Sequence, residues 1–373
     1  MTDRTVEFLL ELHMAFWNRE LEQPVVNIDC SATRRLRDVP ALPPEWEAQK
    51  SVVLKPDMLS PEQFQNPPFI LASADNTRGH VAFNVLQPLL RVPWLPAIVG
   101  CELEASSSGQ TVWPYSYLED GWHELPNQGF APRMEWLDKL LEFTHYIVES
   151  YYPDKCIPTT DNIARGPGDL LLHVLGPDRT YLSLYDHPEE VKLLLEQITD
   201  LYIRWGKAQL EVIPTFHSGY CNTYGIWGPG DTVRSQEDYA PFLSRQHYEE
   251  FLMPSDRRVA QAFEFEVYHT HSGFPQLAEW VLEIDEVKCI EVALDPTGPT
   301  IEENIPLWNR ILERKPLIII GPVTERQLEL MVSELSPGGL WLDIEMVEEG
   351  QDLDSIWEWS HANTDEKNCG EQG

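Results

Sequence analysis

The sequence predicts an α/β fold, a (β/α)8 TIM barrel with an N-terminal helical and irregular extension. Three observations lead there. From Met134 onward, long amphipathic segments alternate with short apolar runs, as repeated βα units require. Helices separate those runs, so consecutive strands cannot pair as hairpins and the sheet must be mostly parallel. At 373 residues the chain holds enough units for such a sheet to close, and no Gly-x-Gly-x-x-Gly follows a strand to favour an open dinucleotide-binding sheet. We expect one domain over 1–362. Within it, 1–130 supply the extension and first units and 131–362 the regular repeats, while 363–373 form a disordered polar tail.

The elements follow in order. Val6, Leu9, Leu10, His13, Phe16, Trp17 and Leu21 fall at helical spacing, and Pro24 stops that helix before a strand at 25–28. Residues 31–62 mix Arg34, Arg35 and Arg37 with several prolines and read as irregular. Strands are expected at 68–73 and 97–103, with short-strand and turn signals over 105–130. Beyond them, helical periodicity covers 134–151, 187–211, 245–262, 275–283, 302–314 and 323–335. Strand-like runs cover 179–185, 212–217, 263–271, 288–294, 316–321 and 339–346. Asp186-His187-Pro188 and the segment 321–324 carry the chemistry of strand-to-helix turns.

Composition narrows the function. Lys and Arg total 27 against 61 Asp and Glu, a net charge of −34. A field of that sign repels nucleic acid and anionic membrane surfaces, so a small-molecule substrate is expected and neither nucleic acid nor membrane is a partner. The six cysteines are dispersed with no C-x-x-C pair, which argues against a disulfide framework and against a thiolate zinc cage. The first residues lack the basic-then-apolar pattern of a secretory signal, and no apolar stretch has bilayer length. The expectation is a cytoplasmic protein.

One segment concentrates chemistry. In the run from Phe263 to His271, residues two apart point the same way, so Phe263, Phe265, Val267, His269 and His271 form a row that turns from apolar to polar at its C-terminal end. Barrel enzymes keep their reactive groups at that end. Paired imidazoles bind metal, shuttle protons or hold an anion. The tripeptide His217-Ser218-Gly219 echoes His271-Ser272-Gly273 and nominates His217 as a third pocket residue. The aromatic, glycine-rich loop 223–230 nominates Tyr224, which would stack on a flat ligand. Glu291 and Asp295 share a face with Cys289 and would reach the same rim.

Several segments, in this order, resemble the uroporphyrinogen decarboxylase superfamily. Residues 166–176 resemble its glycine–proline-led helix, 186–195 its "P-E-x-V-x-x-L-L" helix start, and 242–254 its "lSp..yeeF..P" block. Tyr268 to Gly273 stands where the family has "H-x-C-G", and 319–324 where it has "l.G.v.p". The matches span about 158–346. The resemblance implies a (β/α)8 barrel whose relatives include the decarboxylase and the cobalamin-linked methyltransferases. It places substrate contacts at His173, where the family has a tyrosine, at Tyr268, at Ser235 and Asp238, and at the arginine pair Arg34/Arg35. In the methyltransferase branch, zinc held by H-x-C and a later cysteine activates a thiol toward a corrinoid-bound methyl group. Here the first pair becomes His269 and His271, and Glu345 or Asp343 would complete a His₂-carboxylate set in place of the later cysteine.

The expected function is therefore metal-assisted methyl transfer, with zinc at His269, His271 and Glu345. A corrinoid on a partner protein, or another methyl donor, would supply the methyl group to a thiol or related acceptor. His269, His271 and His217 would be catalytic. Four alternatives stay open: a metal-free site in which the imidazoles touch substrate, decarboxylation of uroporphyrinogen or another carboxylated substrate, a carbohydrate-active barrel, and a non-catalytic binding barrel. Decarboxylation is disfavoured because a substrate with eight carboxylates needs several desolvated basic contacts, and this chain lacks most of the family's.

Overall fold

In the computed structural model, the described residues are 3–29, 51–64, 77–78, 81–88, 92–106, 111–116, 118, 121–154, 156–160 and 165–346. Arg34, Arg35, the expected strand at 68–73 and the tail lie outside them. The strands are β1 Val25–Asp29, β2 Ser51–Leu54, β3 Thr77–Arg78, β4 Val85–Leu86, β5 Glu102–Ser106, β6 Thr111–Tyr115, β7 Ile157–Pro158, β8 Tyr220–Cys221, β9 Trp227–Gly228, β10 Thr232–Gln236, β11 Phe265–His271, β12 Cys289–Ala293, β13 Leu317–Val323 and β14 Leu340–Met346.

The main sheet runs β10-β11-β12-β13-β14-β1-β3. Its first six strands are mutually parallel and β3 is antiparallel to β1. Beside β10, Arg165 makes a single parallel bridge to Gln236. β4 and β7 pair in parallel, and β2-β5-β6 form a small antiparallel sheet. The parallel arrangement follows from the helices between strands: Met253–Ala262 precedes β11, Pro275–Leu282 precedes β12, Ile301–Leu312 precedes β13 and Glu325–Glu334 precedes β14. The last two begin with capping boxes at Thr300/Glu303 and Thr324/Gln327, which satisfy otherwise orphaned N–H groups.

Each strand sorts its side chains between two apolar clusters. Val26, Ile28, Val233, Tyr268, Ile290, Val292, Leu317, Ile319, Leu340, Leu342 and Ile344 meet the helices. On the other face Val25, Val267, Cys289, Ile318 and Trp341 pack together with Phe16 and Trp17 from the Asp3–Asn18 helix. That helix is fastened by two long-range polar contacts. Trp17 Nε1 donates to the Trp227 carbonyl at 2.8 Å, while His13 bonds the Val81 carbonyl through Nε2 (2.8 Å) and accepts the Trp227 N–H at Nδ1 (2.9 Å). The helix thus seals the N-terminal end of the sheet, and polar residues of the same face collect at the C-terminal end.

Three expected strands take other forms. Residues 179–185 lie in the helix Pro177–Asp186. The alternation of Leu182 and Leu184 with Tyr181, Ser183 and Tyr185 loses to Pro177 at the helix start and to burial of Thr180, Ser183 and Leu184 at helical spacing, with Leu182 and Tyr185 exposed. Asp186-His187-Pro188 is consequently a helix-to-helix junction. Residues 97–103 divide between the fully buried helix Trp94–Val99 and β5, with Gly100 at φ +122° turning the chain. A short unbroken apolar run has no period to distinguish the two states. At 212–217 the helix Pro188–Val212 gives way to a tight turn closed between Phe216 and Gly219.

Candidate metal centre

His269 and His271 leave β11 on the face that carries Val267, two residues apart and on one side, as strand alternation requires. Registered beside His269 are Gln236 on β10 and Glu291 on β12. The following Ser272-Gly273 fixes the rim. Ser272 Oγ accepts the Asp295 N–H at 2.9 Å, and the Gly273 N–H donates to Asp295 Oδ2 at 3.0 Å. A Cβ at Gly273 would stand 2.7 Å from that oxygen, so only glycine lets the carboxylate come so close.

Asp295 and Glu291 orient the two rings. His269 Nδ1 is 2.7 Å from Glu291 Oε1, and His271 Nδ1 is 3.0 Å from Asp295 Oδ1. A carboxylate only accepts, so both Nδ1 atoms carry protons and both Nε2 atoms turn inward as acceptors. Those Nε2 atoms are 3.1 Å apart. Asp238 Oδ1 lies 3.7 Å from His271 Nε2, is buried and makes no hydrogen bond. One ligand atom from each of Asp238, His269 and His271 falls within a mutual 4.8 Å. Three lone-pair donors that converge repel one another unless a proton or cation stands among them. Two imidazoles and a carboxylate, each imidazole backed by a second carboxylate, make a donor set that fits a divalent transition metal.

The electrostatics agree. Burial opposes charge on Glu291, but Arg234 and His269 outweigh it and hold the carboxyl well below the usual carboxylate range. Burial, aided by Arg234, lowers the His269 pKa, so the ring is kept neutral and able to ligate. His271 moves the other way: Asp238 raises its pKa, burial opposes this, and Asp295 adds to the rise. Burial also opposes charge on Asp238, yet His271 and Arg165 keep it ionised. Without a metal, His271 is therefore the ring that takes the proton.

The sequence-derived candidates separate by position. Asp238 joins the centre directly. Glu345 shares the interior face of β14, but β12 and β13 stand between it and the histidines and it is not in the cluster, so the carboxylate comes from the residue pair after β10 instead. Asp343 is occupied by the Asn27 amide at 2.8 Å. Tyr224 supports the site, its hydroxyl accepting from Arg234 Nε at 3.2 Å. His173, on the helix Pro167–Leu175, has its pKa pushed down to about 4 by burial and by Arg165, which also contacts Asp238.

Ser235 and Tyr268 point to the opposite face. Ser235 donates to Glu266 at 2.6 Å and Tyr268 to Asp256 at 3.0 Å, among the helices. His217 is an exposed turn residue at φ +47°, in the segment that leads into the N-terminal end of β10 and away from the histidine rim. Arg234, Gln236 and Arg165 escaped the sequence reading. The period-two alternation of Thr232, Arg234 and Gln236 was the available signal.

No protein-family model matches the chain, and no curated protein matches it. Among the described residues, no helix is long and apolar enough to cross a membrane.

Proposed function

We propose that the protein is a metal-dependent enzyme of the uroporphyrinogen decarboxylase-like kind, acting in methyl transfer to a thiol or related acceptor. The observation that carries this reading is the convergence of His269 Nε2, His271 Nε2 and the non-hydrogen-bonded Asp238 Oδ1. The reading includes a closed barrel, in which the six parallel strands and the parallel β4·β7 pair would make eight, β4 and β7 standing between β1 and β10; the parallel sheet and the Arg165 bridge beside β10 support it.

Each residue has a task. His269, His271 and Asp238 would hold the ion, zinc being the metal that the donor set suits and that the methyltransferase branch which the sequence resembles uses. Glu291 and Asp295 fix the tautomers that aim Nε2 inward. A bound divalent ion lowers the pKa of a thiol or water placed on it, which supplies a nucleophile at neutral pH. A corrinoid donor on a partner protein would supply the methyl group, and the acceptor thiolate held at the His269, His271 and Asp238 centre would take it, the electron pair of the broken Co–C bond remaining with the donor. Arg165 helps keep Asp238 ionised, and Val267, Cys289, Ile318 and Trp341 form an apolar floor on the same face of the sheet.

Decarboxylation of a polycarboxylate is the weaker alternative. Arg234 is committed to Glu291, and Arg165 to Asp238 and Asp169. The test is direct. The purified protein, loaded with one equivalent of zinc, is mixed anaerobically with methylcobalamin and simple thiols, and cob(I)alamin formation is followed by absorbance. Metal-dependent demethylation lost in His269→Ala supports the reading; a protein that binds no ion stoichiometrically, or an inert zinc form, overturns it.

A further inference from the structure

We propose that Arg234 is the positioning residue of the centre, one guanidinium that sets ligands from two strands into ion-binding geometry before the ion arrives. The inference rests on the reading of Asp238, His269 and His271 as ligands. Arg234 lies on β10 with its side chain 9% exposed, beneath the histidines rather than among them. Its Nε donates to Glu291 Oε2 at 2.7 Å and its Nη2 to Glu291 Oε1 at 3.3 Å, a two-pronged grip. Glu291 Oε1 in turn receives His269 Nδ1. That branch fixes the first ligand.

The second branch leaves from the same group. Arg234 Nη1 donates to Gln236 Oε1 at 2.7 Å, and Gln236 Nε2 donates to Asp238 Oδ2 at 2.9 Å. The amide orientation is forced, because guanidinium offers only donors and carboxylate only acceptors. With Oδ2 engaged by Gln236 and by Arg165, Asp238 presents a single oxygen, Oδ1, toward the imidazoles. The fork therefore ties the carboxylate after β10 to the imidazole on β11 through two rigid links. A lysine has one point of charge and cannot make both.

The experiment measures ion binding by the full chain. Wild type, Arg234→Gln, Arg234→Lys and Gln236→Met are titrated with Co²⁺ against a competing chelator, and the visible d–d spectrum of each complex is recorded. Arg234→Gln is expected to weaken binding 10- to 100-fold, the range set by outer-shell partners of metal ligands. Arg234→Lys should recover only part of that loss. Gln236→Met, which cuts the Asp238 branch alone, should cost about tenfold and alter the spectrum. A merely structural role would lower the unfolding temperature yet leave affinity and spectrum of the folded protein unchanged. Wild-type affinity and spectrum in Arg234→Gln overturn the inference; should that variant not fold, the same result in Gln236→Met overturns it. A wild-type protein that binds no Co²⁺ sinks the metal reading and this inference with it, whereas tight wild-type binding with indifferent variants sinks the inference alone.

Discussion

Proton competition at the centre gives the sharpest expectation. Lowering the pH from 8 to 5.5 protonates His271 first, because Asp238 raises its pKa above the ordinary 6.5 with help from Asp295 and against burial. His269 follows only below 6.5, since burial and Arg234 lower its pKa. An ion must displace whatever protons the ligands carry, so each displaced proton costs a factor of ten in apparent affinity per pH unit, about 1.4 kcal/mol. The logarithm of the association constant should be flat at high pH, fall with slope one as pH drops through the His271 pKa, and steepen toward two only in the more acidic range. Competition with a chelator of known protonation constants, repeated at half-unit steps, reads these slopes. Asp295→Asn removes one cause of the His271 rise and should shift the break to lower pH. A slope of zero throughout, or of two from the first break, would refute the assignment of opposite shifts to the two rings.

Other outcomes follow from the same geometry. Asp238→Asn should abolish stoichiometric zinc while leaving the fold intact, read by elemental analysis and circular dichroism. His217→Asn, a substitution that tolerates positive φ, should change neither ion binding nor turnover. His13, fully buried, has its pKa pushed down to about 4 by desolvation, with the Val81 carbonyl partly offsetting it. A depressed folded-state pKa means this stability is complete above 6.5 and is lost as pH falls toward 4. The drop is at most about 3 kcal/mol at 1.36 kcal/mol per unit. Urea midpoints from pH 7 to 4.5 should register it, and His13→Gln should flatten the dependence. Trp341→Ala, which empties the floor between Phe16 and β14, should cost about 3–5 kcal/mol in the same assay.

The local pattern of the chain was enough to define the long helices from Met134 onward, the four strands β11 to β14 and the row that delivers His269 and His271 to one rim, because periods of 3.6 and 2 are properties of a single segment. The same alternation put Glu291 and Asp295 on the face of Cys289. Local pattern does not decide the state of the period-free apolar run at 97–103 or of the alternating 179–185, where packing against neighbouring helices does. Which acid meets the histidines was beyond local pattern: Glu345 and Asp238 both face the interior side of their chain segments, but only the residue beside β10 adjoins β11. Ser235 and Tyr268 fall to the helix side because they adjoin the inward-facing Arg234 and His269 along their strands, where successive side chains alternate. Residue type and spacing thus determined what chemistry the chain carries. Strand adjacency, a long-range outcome of burying both faces of the sheet, decided which groups meet and gave Arg234 its place beneath them.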